Sequence, residues 1–337
     1  MRSDVPIGSA LSGGIDSSSI VAAMFHNSKN NDEKNFCYDW QHIFCSSFPG
    51  SFNDETKWAQ KVADNLSLPL NKLIYKPSLY PFNLEESIAM VEDPYLTIPL
   101  PMLFTYREIK KRGINVTLDG HGADELFSGY GHIKKAIVLS KSRVRIKELI
   151  AIENSLNTGV YSSKEKKIKR KWVKYKLQTI IKDALLSSYK KLSYLPGNLF
   201  NRFRISPSYF DNDLNKHPVY LEMDSFNQVL FDLFHYSFLP TLLRNYDKYS
   251  MLSGVEIRMP FMDWRLVCNS FSLPIESKLG GSYTKRIQRD ALKNILLDDV
   301  RFRRDKIGWN TPANDWLRSF FKIEIDNILK NNKDSIY

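Results

Sequence analysis

The 337 residues are 43% apolar and 25% charged, the makeup of a soluble globular protein large enough for one big core or two subdomains. No apolar run is long enough to cross a bilayer, and Gly13, Gly14 and Asp16 interrupt any secretory apolar region. Three scattered cysteines, Cys37, Cys45 and Cys268, exclude a disulfide framework or zinc site and point to a reducing cytoplasm, while a net charge of +11 leaves nucleic acid, anionic membranes and phosphate-rich ligands as partner classes.

The first element is read from "VPIGSALSGGIDSSSIVAAMF", Val5 to Phe25. An apolar run meets Ser-Gly-Gly, an aspartate and three serines, after which Ile20, Val21, Met24 and Phe25 recur at helical spacing. This predicts a strand, a tight loop, and a helix beginning after Ser17. Free backbone N–H groups and the helix dipole make such a junction an anion site. "HIFCSSF" follows as a strand. In "NDETKWAQKVADNL" the residues Trp58, Ala59, Val62, Ala63 and Leu66 form a helical stripe, with Asn53 as cap and Asp54 and Glu55 in the first turn. "LPLNKLIYK" is the next strand, "PMLFTYREIKKRG" a helix ending at Gly113, and "INVTLDG" another strand.

Alternation of this kind predicts an α/β fold with a doubly wound, mainly parallel sheet, whose ligands bind beyond the carboxyl ends of the strands. Both "SALSGGIDS" and "TLDGHGADE" fall at such ends. From about Gly131 the pattern turns helical, broken by Pro196, Pro207 and Pro218, and "FNQVLFDLFHYSFLPTLLRNYDKYSMLSG" reads as two helices joined near Pro240. The last residues are polar and are expected to fray. Much of the positive charge lies in "KEKKIKRKWVKYK", Lys164 to Lys176. It reads as a solvated helix face in an insertion; no aromatic RNP motif or GXXG loop supports a nucleic-acid partner.

A Walker loop needs G-x-x-x-x-G-K-[ST], and no lysine stands here. "SGGIDS" would hold phosphate with backbone amides and with the hydroxyls of Ser12, Ser17 and Ser18, its glycines allowing close approach. Asp16 repels phosphate unless it shares Mg²⁺ with it. The bland alternative is a glycine-rich turn capped by Asp16.

The "LSGGIDSS" stretch resembles the pyrophosphate loop of ATP pyrophosphatases, the adenine-nucleotide alpha-hydrolase type of fold. "DGHGADELFSGY", Asp119 to Tyr130, is similar to the G-x-G-x-D-E-x-F-x-G-Y motif of the asparagine synthetase family. "LPTLLRNYDKYSMLSGVEIRMPFMD" resembles that family's Asp-x-x-Ser-Met and E-x-R-x-P-F-x-D blocks, and "YTKRIQRDAL" with "RRDKIGWNTP" its distal lysine blocks. The blocks keep the family's order. The resemblance implies an ATP-pyrophosphatase core over 1–135, a basic helical insertion of low resemblance over 136–225, and a helical part completing the site over 226–337.

The activity so implied is AMP-forming amide synthesis, in which ATP adenylates a carboxylate and ammonia displaces AMP. Carried over by motif, Ser12, Gly13, Gly14, Asp16 and Ser17 cradle the β- and γ-phosphates, and Asp16 with Asp124 holds Mg²⁺. Ala10, Ser46, Asp119 and Gly120 line the adenosine. Lys285 neutralises the α-phosphate, a place where charge develops in the transition state, and Lys306 holds pyrophosphate. His121 stands where several members carry glutamate, and reads equally as a base or as a hydrogen-bonding spacer. Glu256 is a further catalytic candidate.

Each assignment has a bland counterpart. Lys285 and Lys306 could be surface lysines, Asp124 a helix cap, and Glu256 with Arg258 a buried ion pair; Arg244 and Asp247 read as structural. His121 and Asp119 depart from the common residues, so the acid is aspartate or another, such as a sugar uronate. Residue 2 is Arg2 rather than the cysteine of a glutaminase domain. The expected partners are therefore the small acid and free ammonia or ammonia from a separate glutaminase domain or subunit, unless the chain is a fragment; a homodimer stays open, and no membrane partner is expected. RNA-modifying pyrophosphatases share the loop but lack the E-x-R-x-P-F-x-D block, and a non-catalytic remnant is the remaining alternative.

Overall fold

In the computed structural model, which describes residues 4–30, 39–76, 84–92, 100–130, 218–304 and 311–331, the first apolar run is strand β1, Ile7–Ala10, and helix α1, Ile15–Asn30, follows after four residues. The chain continues through β2 (Gln41–Ser47), α2 (Thr56–Leu66), β3 (Leu70–Ile74), α3 (Leu84–Val91), α4 (Leu100–Lys111), β4 (Val116–Leu118) and α5 (Ala123–Phe127). After residues 131–217, which lie outside the described residues, come α6 (Pro218–Glu222), α7 (Ser225–His235), α8 (Phe238–Met251) and β5 (Glu256–Arg258), and the remainder is mostly short helices. The basic segment 164–176, Pro196, Pro207, Cys37, Lys306 and the last six residues lie outside the described residues.

All five strands pair in parallel, in the order β3-β2-β1-β4-β5. The chain leaves β1 toward β2 on one side and returns on the other side as β4. The order reverses between β1 and β4, the kind of switch point at which open α/β sheets bind ligands beyond the carboxyl ends of their strands. Alternating residues of β2 feed two cores. Ile43 and Cys45 pack with α1, α2 and Leu292, Leu296 and Val300 on one face. Phe44 packs with α4, α8 and Val255 on the other. The stripe read from the sequence is the one that α2 buries: Ala59, Val62, Ala63 and Leu66 are all buried, with Trp58 against the same core.

Element boundaries differ from the sequence reading where side chains bond back to the backbone. Helix α1 begins at Ile15, before the serines, because Ser18 N reaches Gly14 O and Ser19 Oγ donates to Ile15 O, which leaves the hydroxyls inside the first turns. Helix α2 begins at Thr56, so Asn53 is no cap. Asp54 instead closes the preceding loop, accepting from Thr56 N, Ser47 Oγ and Phe48 N at 2.8–3.0 Å. Its burial opposes ionisation, but those donors outweigh it and hold the carboxyl below its usual range. Asp224 caps α7, accepting from Phe226 N and Asn227 N. The join between α7 and α8 is at Tyr236–Ser237, and Pro240 sits in the first turn of α8, where its missing N–H costs nothing.

The chain divides into two compact units. One comprises Met1–Asp124, Phe238–Cys268 and Gln288–Tyr337 and contains the parallel sheet; the other comprises Glu125–Ser237 and Asn269–Ile287. The second unit holds α7 and the two-stranded antiparallel ribbon Leu279–Gly280 and Tyr283–Thr284. Its Lys278 is buried between the Phe226 and Phe271 rings and donates to Asn227 Oδ1 at 2.8 Å; burial pulls its pKa down to about 8. Among the described residues Cys45 and Cys268 are free thiols, and no helix is long and apolar enough to cross a membrane.

Candidate functional site

Two loops sit at the switch point. The first, Leu11–Gly14, is a small network of its own hydroxyls. Ser12 N donates to Ser17 Oγ at 3.2 Å, Gly14 N donates to Ser12 Oγ at 3.2 Å, and the two hydroxyl oxygens are 3.1 Å apart. The amides expected to meet phosphate are thus held by hydroxyls that can rotate away. The sequence reading gave glycine one task, close approach to a ligand. At Gly13 the fold adds another: φ is +74°, and a Cβ would stand 2.4 Å from the backbone carbon of Trp58 in α2. Arg303 completes the support. Its Nη1 donates to Gly13 O at 3.3 Å, its guanidinium lies 4.7 Å from the Trp58 ring centroid, and Nη2 forms a buried ion pair with Glu55 Oε1 at 2.8 Å.

The second loop, Asp119–Gly122, packs on the first turn of α1, the helix that follows the first loop. A Cβ on Gly120 would stand 2.9 Å from the Asp16 backbone carbon and 3.0 Å from Ser17 N. Glycine there brings the "DGHGADE" turn against the start of α1. Asp16 lies in the first turn of α1 and Asp124 is the second residue of α5; both are half-buried, and their helices follow the neighbouring strands β1 and β4. Two carboxylates in the first turns of helices that follow neighbouring strands are a donor set that suits a hard divalent cation taking its other ligands from phosphate and water. Among the described residues no cluster of three or more histidine, cysteine or acidic side chains offers a complete protein cage. Phosphate would have to complete such a site.

Asp119 does something the sequence did not reveal. It is buried, and both oxygens are taken: Oδ1 accepts from Ala10 N at 3.3 Å and Oδ2 from Tyr106 OH at 3.0 Å. Its own N–H donates to Arg258 O at 3.0 Å. The carboxylate therefore ties the end of β1 to α4, and the Asp119 N–H ties the residue after β4 to β5. Burial raises its pKa, opposed by His121 and by the bonds from Ala10 and Tyr106. The Tyr106 phenol is pushed well above its ordinary value by burial and by Asp119. Ser46 Oγ lies 2.7 Å from Thr105 Oγ1 in α4, so its hydroxyl too is engaged by the fold.

His121 stacks obliquely on Tyr246, ring centroids 4.2 Å apart, and its Nδ1 is buried without a hydrogen-bond partner. Burial lowers its pKa more than Asp119 and Asp124 raise it, so the imidazole is neutral at neutral pH. Lys285 is no surface lysine: it is 2% exposed, belongs to the second unit, and adopts a left-handed φ of +56° with its N–H on Phe127 O. A non-glycine residue in that region marks a strained position.

The alternative reading of Glu256 and Arg258 as a buried ion pair is corrected. The two side chains are 55% and 59% exposed and pair at 2.8 Å in solvent. In the strand register Glu256 is level with Val116, itself level with Ile7, at the amino end of the sheet. Ala10 lies three residues further along β1, about 10 Å toward the carboxyl end. An edge strand is where exposed charge is expected.

The groups missed in the sequence are Gln288, Arg303, Glu55 and Tyr106. Gln288 Nε2 donates to Asp16 Oδ1 at 3.3 Å and to Ser19 Oγ at 2.8 Å. No spacing connects residues so distant in the chain; only the "RRDK" run hinted that charge near Arg303 had a use.

Comparison with known proteins gives a family model described as asparagine synthase that matches residues 1–336. The chain is 27% identical over 347 residues to asparagine synthetase [glutamine-hydrolyzing] 1 of Bacillus subtilis (strain 168), covering 100% of this chain and 51% of that protein. It is 29% identical over 317 residues to asparagine synthetase [glutamine-hydrolyzing] 3 of the same organism, covering 90% of this chain and 44% of that protein. A shorter stretch of 142 residues, 40% of this chain and 23% of the relative, is 34% identical to asparagine synthetase [glutamine-hydrolyzing] 2 of Oryza sativa subsp. japonica. The chain spans about half the length of the Bacillus relatives it matches.

Proposed function

This chain belongs to the asparagine synthase family, and on that premise we propose that it carries out ATP-dependent, AMP-forming amide synthesis with aspartate as the acid. The substrate carboxylate attacks the α-phosphorus of ATP, pyrophosphate leaves, and ammonia then attacks the acyl carbon and expels AMP. The observation that carries this reading is the packing of Gly120 on the Asp16–Ser17 backbone. A glycine-serine loop, a helix N-terminus and two carboxylates following the strands at the switch point of the described sheet support it.

In this reading the amides of Ser12 and Gly14 exchange the Ser17 and Ser12 hydroxyls for phosphate oxygens, and the hydroxyls swing to become further donors. Asp16 and Asp124 would hold a magnesium ion, which when bound supplies charge neutralisation to the β- and γ-phosphates. Ala10, Ser46, Asp119 and Gly120 shape the adenosine side, largely through backbone. Lys285 and Lys306 keep the roles their motifs imply, at the α-phosphate and at pyrophosphate. His121, held neutral by burial, can accept the proton that ammonia loses as it forms the amide. We assign no chemistry to Glu256.

The named relatives are glutamine-hydrolysing, which supports a glutaminase domain or subunit as ammonia source, with free ammonium as the alternative. We place the reaction in the cytoplasm, where thiols such as Cys45 and Cys268 stay reduced.

The test is pyrophosphate release from ATP with ammonium and a panel of acids. Aspartate-dependent release with asparagine formed is the expected result. Release only with another acid, such as a sugar uronate, would replace the substrate; no release from folded protein at saturating ammonium would reject the catalytic reading.

A further inference from the structure

Behind the first loop sits a side chain that the proposed reaction does not use. Gln288 is buried in the short helix Arg286–Ala291, 272 residues from Asp16 in the chain, yet its Nε2 reaches both Asp16 Oδ1 and Ser19 Oγ. The chemistry of its neighbours fixes which way the amide points. Ser19 Oγ donates to Ile15 O at 2.7 Å, so toward Gln288 it must accept. A carboxylate oxygen also accepts. Turning the amide over would aim Oε1 at two acceptors. In the orientation present, Oε1 is buried and has no hydrogen-bond partner. An unpaired buried acceptor is costly, and native proteins seldom keep one without a use.

We propose that Gln288 is a positioning residue for Asp16: it holds Oδ1 so that the carboxylate is presented to the divalent cation shared with the nucleotide phosphates, and its Oε1 receives a donor that arrives with that complex. The inference rests on the reading of the loop as a metal–pyrophosphate site.

An amide suits this task better than a charged group would. Lysine or arginine at 288 would cancel the charge that attracts a cation, whereas a neutral donor fixes the orientation of the carboxylate and leaves its charge in place. Groups that orient metal ligands from behind commonly matter about 10–100-fold for metal affinity. The unpaired Oε1 fits as well. Magnesium dehydrates reluctantly and keeps several waters, each a strong donor. The rigid surroundings make the positioning possible, since Ser19 is itself fixed by two carbonyls of the first turn of α1.

Binding of Mn²⁺ to the full chain in the presence of ATP, read from its paramagnetic signal without turnover, tests this. Gln288→Met and Gln288→Leu keep the volume and remove the donor. Each should weaken Mn²⁺ affinity about 10-fold, with the melting temperature of the ligand-free protein little changed. Ser19→Ala, which removes the other partner of Gln288 and leaves the Asp16 bond, should shift affinity less than about 2-fold by the same measure. Should an apolar variant fail to fold, Gln288→Asn keeps an amide but cannot reach Asp16 and should show the same loss. Variants that fold and bind Mn²⁺ as tightly as wild type would overturn the proposal alone, as would an equal loss in Ser19→Ala. Wild type that binds no Mn²⁺ with ATP would overturn the loop reading itself.

Discussion

The two loops at the switch point become rigid in opposite ways. The loop after β1 is closed mainly by short-range bonds among Ser12, Gly14 and Ser17, part-exposed and made by hydroxyls that can turn, with one long-range bond from Arg303 to Gly13 O. The loop after β4 is closed by long-range bonds to a buried carboxylate, with Asp119 gripping Ala10, Tyr106 and, through its N–H, Arg258. The first can trade its bonds for a ligand's at small cost. The second cannot, because removing one partner leaves buried polar groups unpaired. A site built of one exchangeable loop and one fixed loop can accept an anion without losing its geometry.

Substitutions can break that contrast. The largest expected effect is on chemistry: Asp16→Ala should lower pyrophosphate release at least about 10²-fold while the melting temperature holds, since the first loop carries function more than stability. Asp119→Ala should do the reverse in emphasis, costing about 3 kcal/mol of unfolding free energy in denaturant titration, because Ala10 N–H and Tyr106 OH lose their acceptor. Gly13→Ala belongs with the second class despite its place in the first loop. A left-handed φ and a 2.4 Å approach to α2 backbone should cost about 2 kcal/mol. Tyr106→Phe, leaving Asp119 Oδ2 without its phenol, should cost about 1.5 kcal/mol. Ser12→Ala should cost least, under about 1 kcal/mol, and register mainly as a raised KM for ATP.

The second loop also couples stability to pH. Burial raises the Asp119 pKa above that of the unfolded chain, so the native state keeps a proton that the unfolded state releases. The stability this contributes is complete below the ordinary carboxylate range and is lost as pH climbs through the raised value. Asp119→Asn should flatten that slope in unfolding measured across the acidic range; an unchanged slope would assign it to another group.

Legibility in the sequence follows the range of the interaction. The α2 stripe, the strand–loop–helix at the start and the alternation that yields a parallel sheet were all readable, because periods of 3.6 and 2 are written in neighbouring residues. Cap positions were less so: Asn53 looks like a cap and Asp54 like a first-turn acid, yet Asp54 closes the loop, accepting from Ser47 Oγ seven residues back. Glu256 and Arg258 read as buried only until β5 proved to be an edge strand.

By itself the sequence determined the fold class, the alternation of most early strands and helices, the family and the placing of both motifs at strand ends. Tertiary structure alone decided that Asp119 is a buried clamp, that Lys285 is buried with a strained backbone, that Gly13 is glycine for the sake of α2, and that Gln288 and Arg303 reach the first loop. The reason is physical. Local pattern governs what a segment becomes, but burial and hydrogen-bond partners depend on which distant segments the parallel crossovers bring beside it.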